Sequence, residues 1–403
     1  MKKMPLVSIV IPVYNGSNYL RDAIDSALSQ DYERCEVIVV NDGSDDEGRT
    51  KAICRSYGNN IRYLEQKNSG VAAALNTGIR AMEGDYFAWL SHDDIFFPCK
   101  VSTQMQAIQE TGNPYTIAEA NYSFGNVDTG GKVKTAFQTY YDRNWLENGC
   151  AWFLWSETHF SNLLFHRRHF ERIGLFDEEN MTAQDQDMQF RLLRGQRTVF
   201  SDVVVSFFRM HRASGTNQNR QRLFQENRSW YLRILHDLTK AEKDKLFGHS
   251  SIIACRICSI LLSMEKGEEY EQAVQDFRAA LSPLKGRDSL AEEFQGKQIV
   301  IFGAGQYGRR LNYELQARGI RPSFFIDNDP SKWNHQVDGV PCRSVDEILH
   351  TPSTYEIIIA QKMYADALLQ IQDWRDDRIH RVWTKDSLDA VLLRSRPVCV
   401  PDL

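Results

Sequence analysis

Over the first hundred positions, apolar residues come in short dense runs, each followed by a polar turn that usually contains glycine. "LVSIVIPVY" and "CEVIVVND" are rich in Val and Ile and do not alternate, which predicts strands buried on both faces. Between them, "SNYLRDAIDSALSQ" places Leu20, Ile24, Ala27 and Leu28 on one helical face, with Ser17 at the N-cap position. "IRYLEQ" reads as a third strand, "GVAAALNTGIRAM" as a further helix, and Tyr86 to Leu90 as a fourth strand. Strands alternating with helices predict a parallel sheet covered on both faces. Such sheets bind ligands outside the carboxyl ends of their strands. The turns "PVYNG", "NDGSDD", "KNSG" and "SHDD" all fall at that edge.

From about 111 the pattern is less regular and more aromatic, with Trp145, Trp152, Phe153, Trp155 and Phe160 close in sequence. Such aromatics suit either a core or a surface on which a ring-shaped ligand stacks. "EEYEQAVQDFRAALSPL" is helical, and a new α/β pattern opens with "KQIVIFGAG". The organisation expected is an α/β domain over 1–217, a helical connecting segment over 218–294, and a small α/β domain over 295–403. The hydrophobic and charged fractions, 42% and 25%, are those of a globular chain. A net charge of −5 gives no bulk attraction to nucleic acid. No run approaches the roughly 18 apolar residues that span a bilayer. The N-terminal run is broken by Pro12 and lacks a small-residue cleavage site. A cytoplasmic protein is expected, with peripheral membrane contact left open. Cys255 and Cys258 form a C-x-x-C without a second pair, which reads as buried structural thiols rather than a zinc site.

Adjacent carboxylates repel one another and resist desolvation, so Asp93 and Asp94 at a strand mouth beside His92 call for a cation or a helix cap. The collinear motifs "VSIVIPVYNGSNYLRDAIDSALSQ", "EVIVVNDGSDD", "KNSGVAAALNTGIRAMEGDYFAWLSHDD", "ERIGLFDEENMTAQDQDMQFRLL" and "FFRMHRASGT" resemble glycosyltransferase family 2. These are the inverting enzymes of the GT-A fold, a Rossmann-like mixed sheet with helices on both faces.

The resemblance implies a nucleotide diphosphate sugar donor, an acceptor hydroxyl, and a divalent metal, Mn²⁺ or Mg²⁺. Hard metals of this kind bind through one or two carboxylates plus substrate phosphates. Asp93 matches the family's metal-binding aspartate, and His211 matches a late histidine that completes the metal site or touches the diphosphate. Ser91 stands where the family usually has its first acidic residue. Asp42 matches the acceptor of the base N3–H, which favours uracil or thymine; Pro12, Tyr14 and Asn15 match the turn around it. An Asx-turn is the structural alternative for Asp42. Lys67, Asn68 and His92 are assigned to the nucleotide pocket, and Arg209 and Arg212 are candidates to oppose phosphate charge. Asp185 matches the general base, with Gln184 replacing the family's usual glutamate and Asp187 as a neighbouring charge that can compensate. The alternative for Asp185 is a helix-dipole carboxylate. The acceptor implied is a lipid-linked glycan in cell-surface polysaccharide synthesis, such as O-antigen or capsule.

Gly303, Gly305 and Gly308 form a G-x-G-x-x-G between a strand and a helix, and Asp327 ends the next strand. The C-terminal segment resembles the small Rossmann-like domains of sugar-modifying and capsule-synthesis proteins, some of which bind sugar nucleotides; the resemblance leaves auxiliary nucleotide binding, a scaffold or oligomer contact, and a second catalytic activity as its roles. No Tyr/Lys or His/Asp set for hydride transfer accompanies it. An NAD-dependent sugar-nucleotide oxidoreductase and a non-catalytic sugar-nucleotide-binding regulator are the rival readings.

Overall fold

The computed structural model describes residues 4–126, 134–136, 149–155, 158–215, 219–247, 250, 253–254, 256–257, 289–349, 354–360, 367, 370–371, 379–383 and 388. The chain forms two compact units, Met1–Trp230 and Tyr231–Leu403, divided within the helix Arg220–Asp237. Among the described residues, no helix is long and apolar enough to cross a membrane.

The first unit opens with β1 (Val7–Val13), α1 (Leu20–Leu28), β2 (Cys35–Asn41), α2 (Arg49–Ser56), β3 (Arg62–Glu65), α3 (Val71–Ala81) and β4 (Tyr86–Trp89). With β8 (Phe165–His166) these strands make a five-stranded sheet in the order β3-β2-β1-β4-β8, parallel except for β8. A second sheet holds β5 (Ile95–Phe96), β9 (Thr198–Met210), β6 (Ile117–Asn126) and β7 (Lys134–Ala136), in the order β5-β9-β6-β7. The mixed α/β, GT-A-type architecture is therefore the one expected. Every residue of β1 is buried, as its unbroken Val/Ile run requires. Val7, Ile9, Ile11 and Val13 share a core with Leu20, Ile24 and Ala27 of α1. On the other face α3 approaches so closely that a Cβ at Gly78 would lie 2.3 Å from Val10 Cγ1.

Two local expectations change. Leu28 is 40% exposed, because α1 ends there and turns its last residue to solvent. Ser17 is not the N-cap; the helix begins at Leu20 after Tyr19, and the Ser17 hydroxyl serves Asp46 instead.

Glu119 on β6 is 3% exposed, and its Oε1 has no hydrogen-bond partner among the described residues. Burial pushes its carboxyl up to about 8. A carboxyl raised in the folded state stabilises the fold at acid pH and loses that contribution as pH rises through about 8. Glu119→Gln is therefore expected to stabilise the chain at pH 8 and above, by on the order of 2–5 kcal/mol. The difference should vanish near pH 4, and urea melts across that range check it.

The second unit carries β10 (Ile299–Phe302), β11 (Phe324–Ile326), β12 (Gln336–Val337), β13 (Val340–Arg343), β14 (Tyr355–Ile359) and β15 (Ile379–Trp383). Its six-stranded sheet runs β12-β13-β11-β10-β14-β15, parallel except for the edge strand β12. Val300, Phe302, Ile326, Ile357 and Ile359 build its core. Cys255, Cys258 and "EEYEQAVQDFRAALSPL" lie outside the described residues.

Candidate active site

The parallel registers pair Val13 with Asn41, Asn41 with Glu65, and Val10 with Trp89, so β1 to β4 end along one edge. Pro12 is tolerated inside a central strand because β4 leaves the ladder at Leu90, whose N–H donates to Val10 O at 3.0 Å. Beyond β1, Asn15 takes a positive φ of 50°. Its N–H donates to Ser44 Oγ (2.9 Å), and its Oδ1 accepts from Asp45 N (2.9 Å). The Asp45 carboxylate accepts from Tyr14 OH (3.3 Å) and from Asn15 Nδ2. The first two turns are thus stitched to each other, with Tyr14 42% exposed above them.

Asp42 is 3% exposed and grips the third turn. Its Oδ1 accepts from Gln66 Nε2 (2.7 Å) and Ser69 N (2.9 Å), and its Oδ2 from Gly70 N (2.8 Å). A carboxylate has about four acceptor positions, so about one remains open. Lys67 and Asn68 are exposed at the tip of the gripped turn. Gly43 must be glycine here: its φ is +68°, and a Cβ would lie 2.5 Å from Asn68 N.

The "SHDD" turn caps no helix; it leads into β5, and the next helix is α4 (Lys100–Glu110). Asp93 Oδ2 lies 2.9 Å from His211 Nε2, which joins the fourth turn to the end of β9. Asp94 faces the other way, into the fold, and accepts from Arg209 N at 2.9 Å. Burial, and then the adjacent Asp93 charge, push the Asp94 carboxyl well above the usual range. The two neighbouring carboxylates therefore avoid sharing a site. Partly buried His92 packs over Gly16, where a Cβ would lie 2.3 Å from His92 Cδ2, and burial holds its imidazole below its ordinary value.

Arg209 is committed within the protein. Its guanidinium donates to Asp93 O (3.0 Å) and Asp22 Oδ2 (2.6 Å), and lies 4.8 Å from the Tyr19 ring centroid. Tyr19 in turn stands 5.1 Å from the His211 ring. Arg209 braces the Asp93–His211 pair and is spoken for as a phosphate ligand. A carboxylate oxygen and an imidazole nitrogen at this separation fit two positions of a divalent cation. Among the described residues, no group of three or more His, Cys, Asp or Glu forms a closed cage. Water and substrate oxygens would have to supply the other positions, as hard cations accept.

Asp185 lies in the first turn of the helix Gln184–Leu193, partly buried, with its Oδ1 accepting from Gln186 N at 2.9 Å. Burial pushes its carboxyl up to about 6. Asp187 cannot take over: it is 5% exposed and bound to Arg191 at 2.7 Å. Arg191 also donates to Ile173 O and Leu175 O. The approach to Asp185 is tied to the sheet by Asn76 of α3. Its Oδ1 accepts from Phe176 N, and its Nδ2 donates to Phe176 O and Glu178 Oε1. Met181 lies over Gly70, where a Cβ would be 3.3 Å from Met181 Cε. The Asp42 turn and the segment leading to Asp185 are therefore neighbours.

Phe153 and Phe160 are buried, while the side chains of Trp145, Trp152 and Trp155 lie outside the described residues. In the second unit, Gly303 has φ +107°, and a Cβ on Gly308 would lie 1.8 Å from Gly303 O, so the helix Gln306–Ala317 can meet the loop only at glycine. Gly305 lies exposed at the start of that helix. Asp327 accepts from Ala304 N (2.7 Å), Asp329 N (2.9 Å) and Lys332 Nζ (2.9 Å), so it braces the loop.

Residues 8–174 match the family described as Glycosyl transferase family 2. An uncharacterized glycosyltransferase of Rickettsia bellii is 38% identical over 271 residues, 67% of this chain and 39% of the relative. This chain thus spans well under half of that protein. The crystal structure of S. aureus TarS 1-349 in complex with UDP-GlcNAc shares the fold at a TM-score of 0.51 and 19% identity, over 83% of this chain and 98% of that one. An uncharacterized glycosyltransferase of Rickettsia prowazekii is 40% identical over 244 residues, 60% of this chain and 76% of the relative. Likeness of that degree, across three quarters of a relative's length, makes this chain a member of glycosyltransferase family 2.

Proposed function

We propose that the chain is an inverting, metal-dependent glycosyltransferase that moves a sugar from a nucleoside diphosphate sugar to a glycan hydroxyl. The observation that carries this reading is the Asp93–His211 contact, on the same strand edge as the Asn15 and Asp42 turns. A bound Mn²⁺ or Mg²⁺ would supply Lewis-acid neutralisation of the departing diphosphate. Asp93 and His211 would hold that ion, and Arg209 fixes the Asp93 main chain. Asp185 takes the proton of the acceptor hydroxyl as its oxygen attacks the anomeric carbon. The bond to the nucleotide oxygen breaks on the opposite face as the new bond forms, so the configuration inverts.

Asp42, with an acceptor position left for an imide N–H, favours a uridine or thymidine donor, and the likeness to a protein crystallised with UDP-GlcNAc supports uridine. The acceptor in this reading is a lipid-linked glycan of a cell-surface polysaccharide, met by a cytoplasmic enzyme in peripheral contact with the membrane. The glycine loop of the second unit, Gly303 to Gly308, is assigned to nucleotide binding without redox chemistry; steady oxidation of NADH with a nucleotide sugar would contradict that assignment. The test of the main reading is a panel of UDP-, dTDP- and GDP-sugars with Mn²⁺, followed by release of the free nucleotide. A uridine or thymidine donor should be turned over, and EDTA should stop it. Release from none of the panel would overturn the reading.

A further inference from the structure

The helix that carries Asp185 begins without a cap of its own. Its N-cap residue is Ala183, which has no side-chain oxygen to offer the exposed N–H groups of a helix start. Glu226, on the helix Arg220–Asp237, reaches the Ala183 N–H from 43 residues further on, together with those of the two residues before it. Its Oε2 accepts from Thr182 N (2.7 Å), Ala183 N (3.1 Å) and the Thr182 hydroxyl, and its Oε1 lies 3.4 Å from Met181 N. Arg222, one turn earlier, lies 3.1 Å from the same carboxylate. Burial opposes ionisation of Glu226, but the hydrogen bonds from Met181, Thr182 and Ala183 outweigh it and hold the carboxyl below its ordinary range. The group is thus an anion at neutral pH, placed where a helix N-terminus attracts negative charge.

Three consecutive residues directly before the Asp185 helix converge on this one side chain. The same segment carries Met181 against Gly70, beside the Asp42 turn. Asn180 Oδ1, which also accepts from Ala183 N at 3.1 Å, shares the task. We infer that Glu226 is the positioning residue of Asp185: it fixes the 181–183 segment so that the base stands at the acceptor's hydroxyl. The inference rests on the glycosyltransferase reading above. It assigns to Glu226 no contact with donor, metal or acceptor, so its effect belongs in kcat and not in donor binding.

Two measurements decide it. Amide hydrogen exchange of the full chain needs no substrate; Glu226→Ala should speed exchange at Thr182, Ala183 and the first turn of the Asp185 helix, while β1 to β4 keep their protection. Unchanged exchange there would overturn the inference. Turnover is then followed as nucleotide release from the donor identified in the panel, UDP-GlcNAc with Mn²⁺ first. Glu226→Ala should lower kcat about tenfold or more with donor KM within about twofold, the expected mark of a lost positioning contact. Glu226→Gln, which keeps one acceptor oxygen in place, should recover most of the loss and guards against a poorly folded alanine variant. In an Asp185→Asn background, Glu226→Ala should cost nothing further, because it acts through the base. An undiminished further loss in that background would show a merely structural role. If Asp185→Asn alone left kcat intact, the base assignment would fall; a slow Asp185→Asn beside a normal Glu226→Ala would sink only the positioning role.

Discussion

Asp93→Ala is expected to abolish the Mn²⁺-dependent part of UDP binding, a loss of about 100-fold or more, since a metal that neutralises a diphosphate is worth several kcal/mol. In the proposed reading such a cation would meet two donors, Asp93 and His211, 2.9 Å apart, and no larger group of His, Cys, Asp or Glu stands behind them among the described residues. Removing one of two donors leaves too little to hold the ion. The fold should survive, because the brace works through the main chain: Arg209 donates to Asp93 O, and Asp94 accepts from Arg209 N whatever side chain stands at position 93. Calorimetric titration of UDP with and without Mn²⁺ checks it. Equal Mn²⁺-dependent affinities in mutant and wild type, at an unchanged melting temperature, would take the metal role away from Asp93.

The strand edge was legible because two independent patterns agree there. Unbroken Val/Ile runs mark β1 and β2 as buried parallel strands, and a parallel sheet sends all its strand ends to one side. Asn15, Asp42 and Asp93 follow from that rule and from the motifs around them. The partners that make these residues work were not legible, because they are distant in sequence. Arg209 reaches Asp22 across 187 positions, and Asp94 finds its donor 115 positions away in β9. From the sequence Arg209, like Arg212, reads as a phosphate ligand, because an arginine two positions from a histidine gives no hint that Asp22, Tyr19 and the Asp93 carbonyl already engage it.

Local grammar also misleads where the fold offers a better partner. Ser17 has the chemistry of a helix cap, but Asp46 takes its hydroxyl. Asp187 looks like a substitute for Asp185 two positions earlier, but Arg191 one turn on claims it. The Glu226 cap left only a negative trace in the sequence, a helix start at "TAQDQD" with alanine where Ser, Thr, Asp or Asn is usual. Such a gap says that a partner is needed and not where it lies.

Asp185→Asn is expected to lower kcat by about 10²–10⁴-fold, the usual worth of general-base assistance, with donor KM and Mn²⁺-dependent UDP affinity nearly unchanged. The substitution keeps the size of the side chain and an oxygen for the Gln186 N–H, so the helix start should persist. What it removes is the capacity to take a proton. Burial pushes the Asp185 carboxyl up to about 6, which places it close to neutral pH, where a base is ionised and still basic enough to act. A pH signature follows. The active form is the carboxylate, so wild-type kcat should be level above about pH 7 and fall about tenfold per unit below about pH 6. In Asp185→Asn that acid limb should disappear along with the rate. Asp187 cannot restore it, being paired with Arg191 at 2.7 Å. Together with Asp93→Ala, the variant separates proton transfer from metal and diphosphate binding: one loses kcat and keeps UDP, the other loses UDP itself. A near wild-type rate for Asp185→Asn on a confirmed acceptor, or an acid limb that survives the substitution, would remove Asp185 from the role of base and leave it a helix-dipole carboxylate.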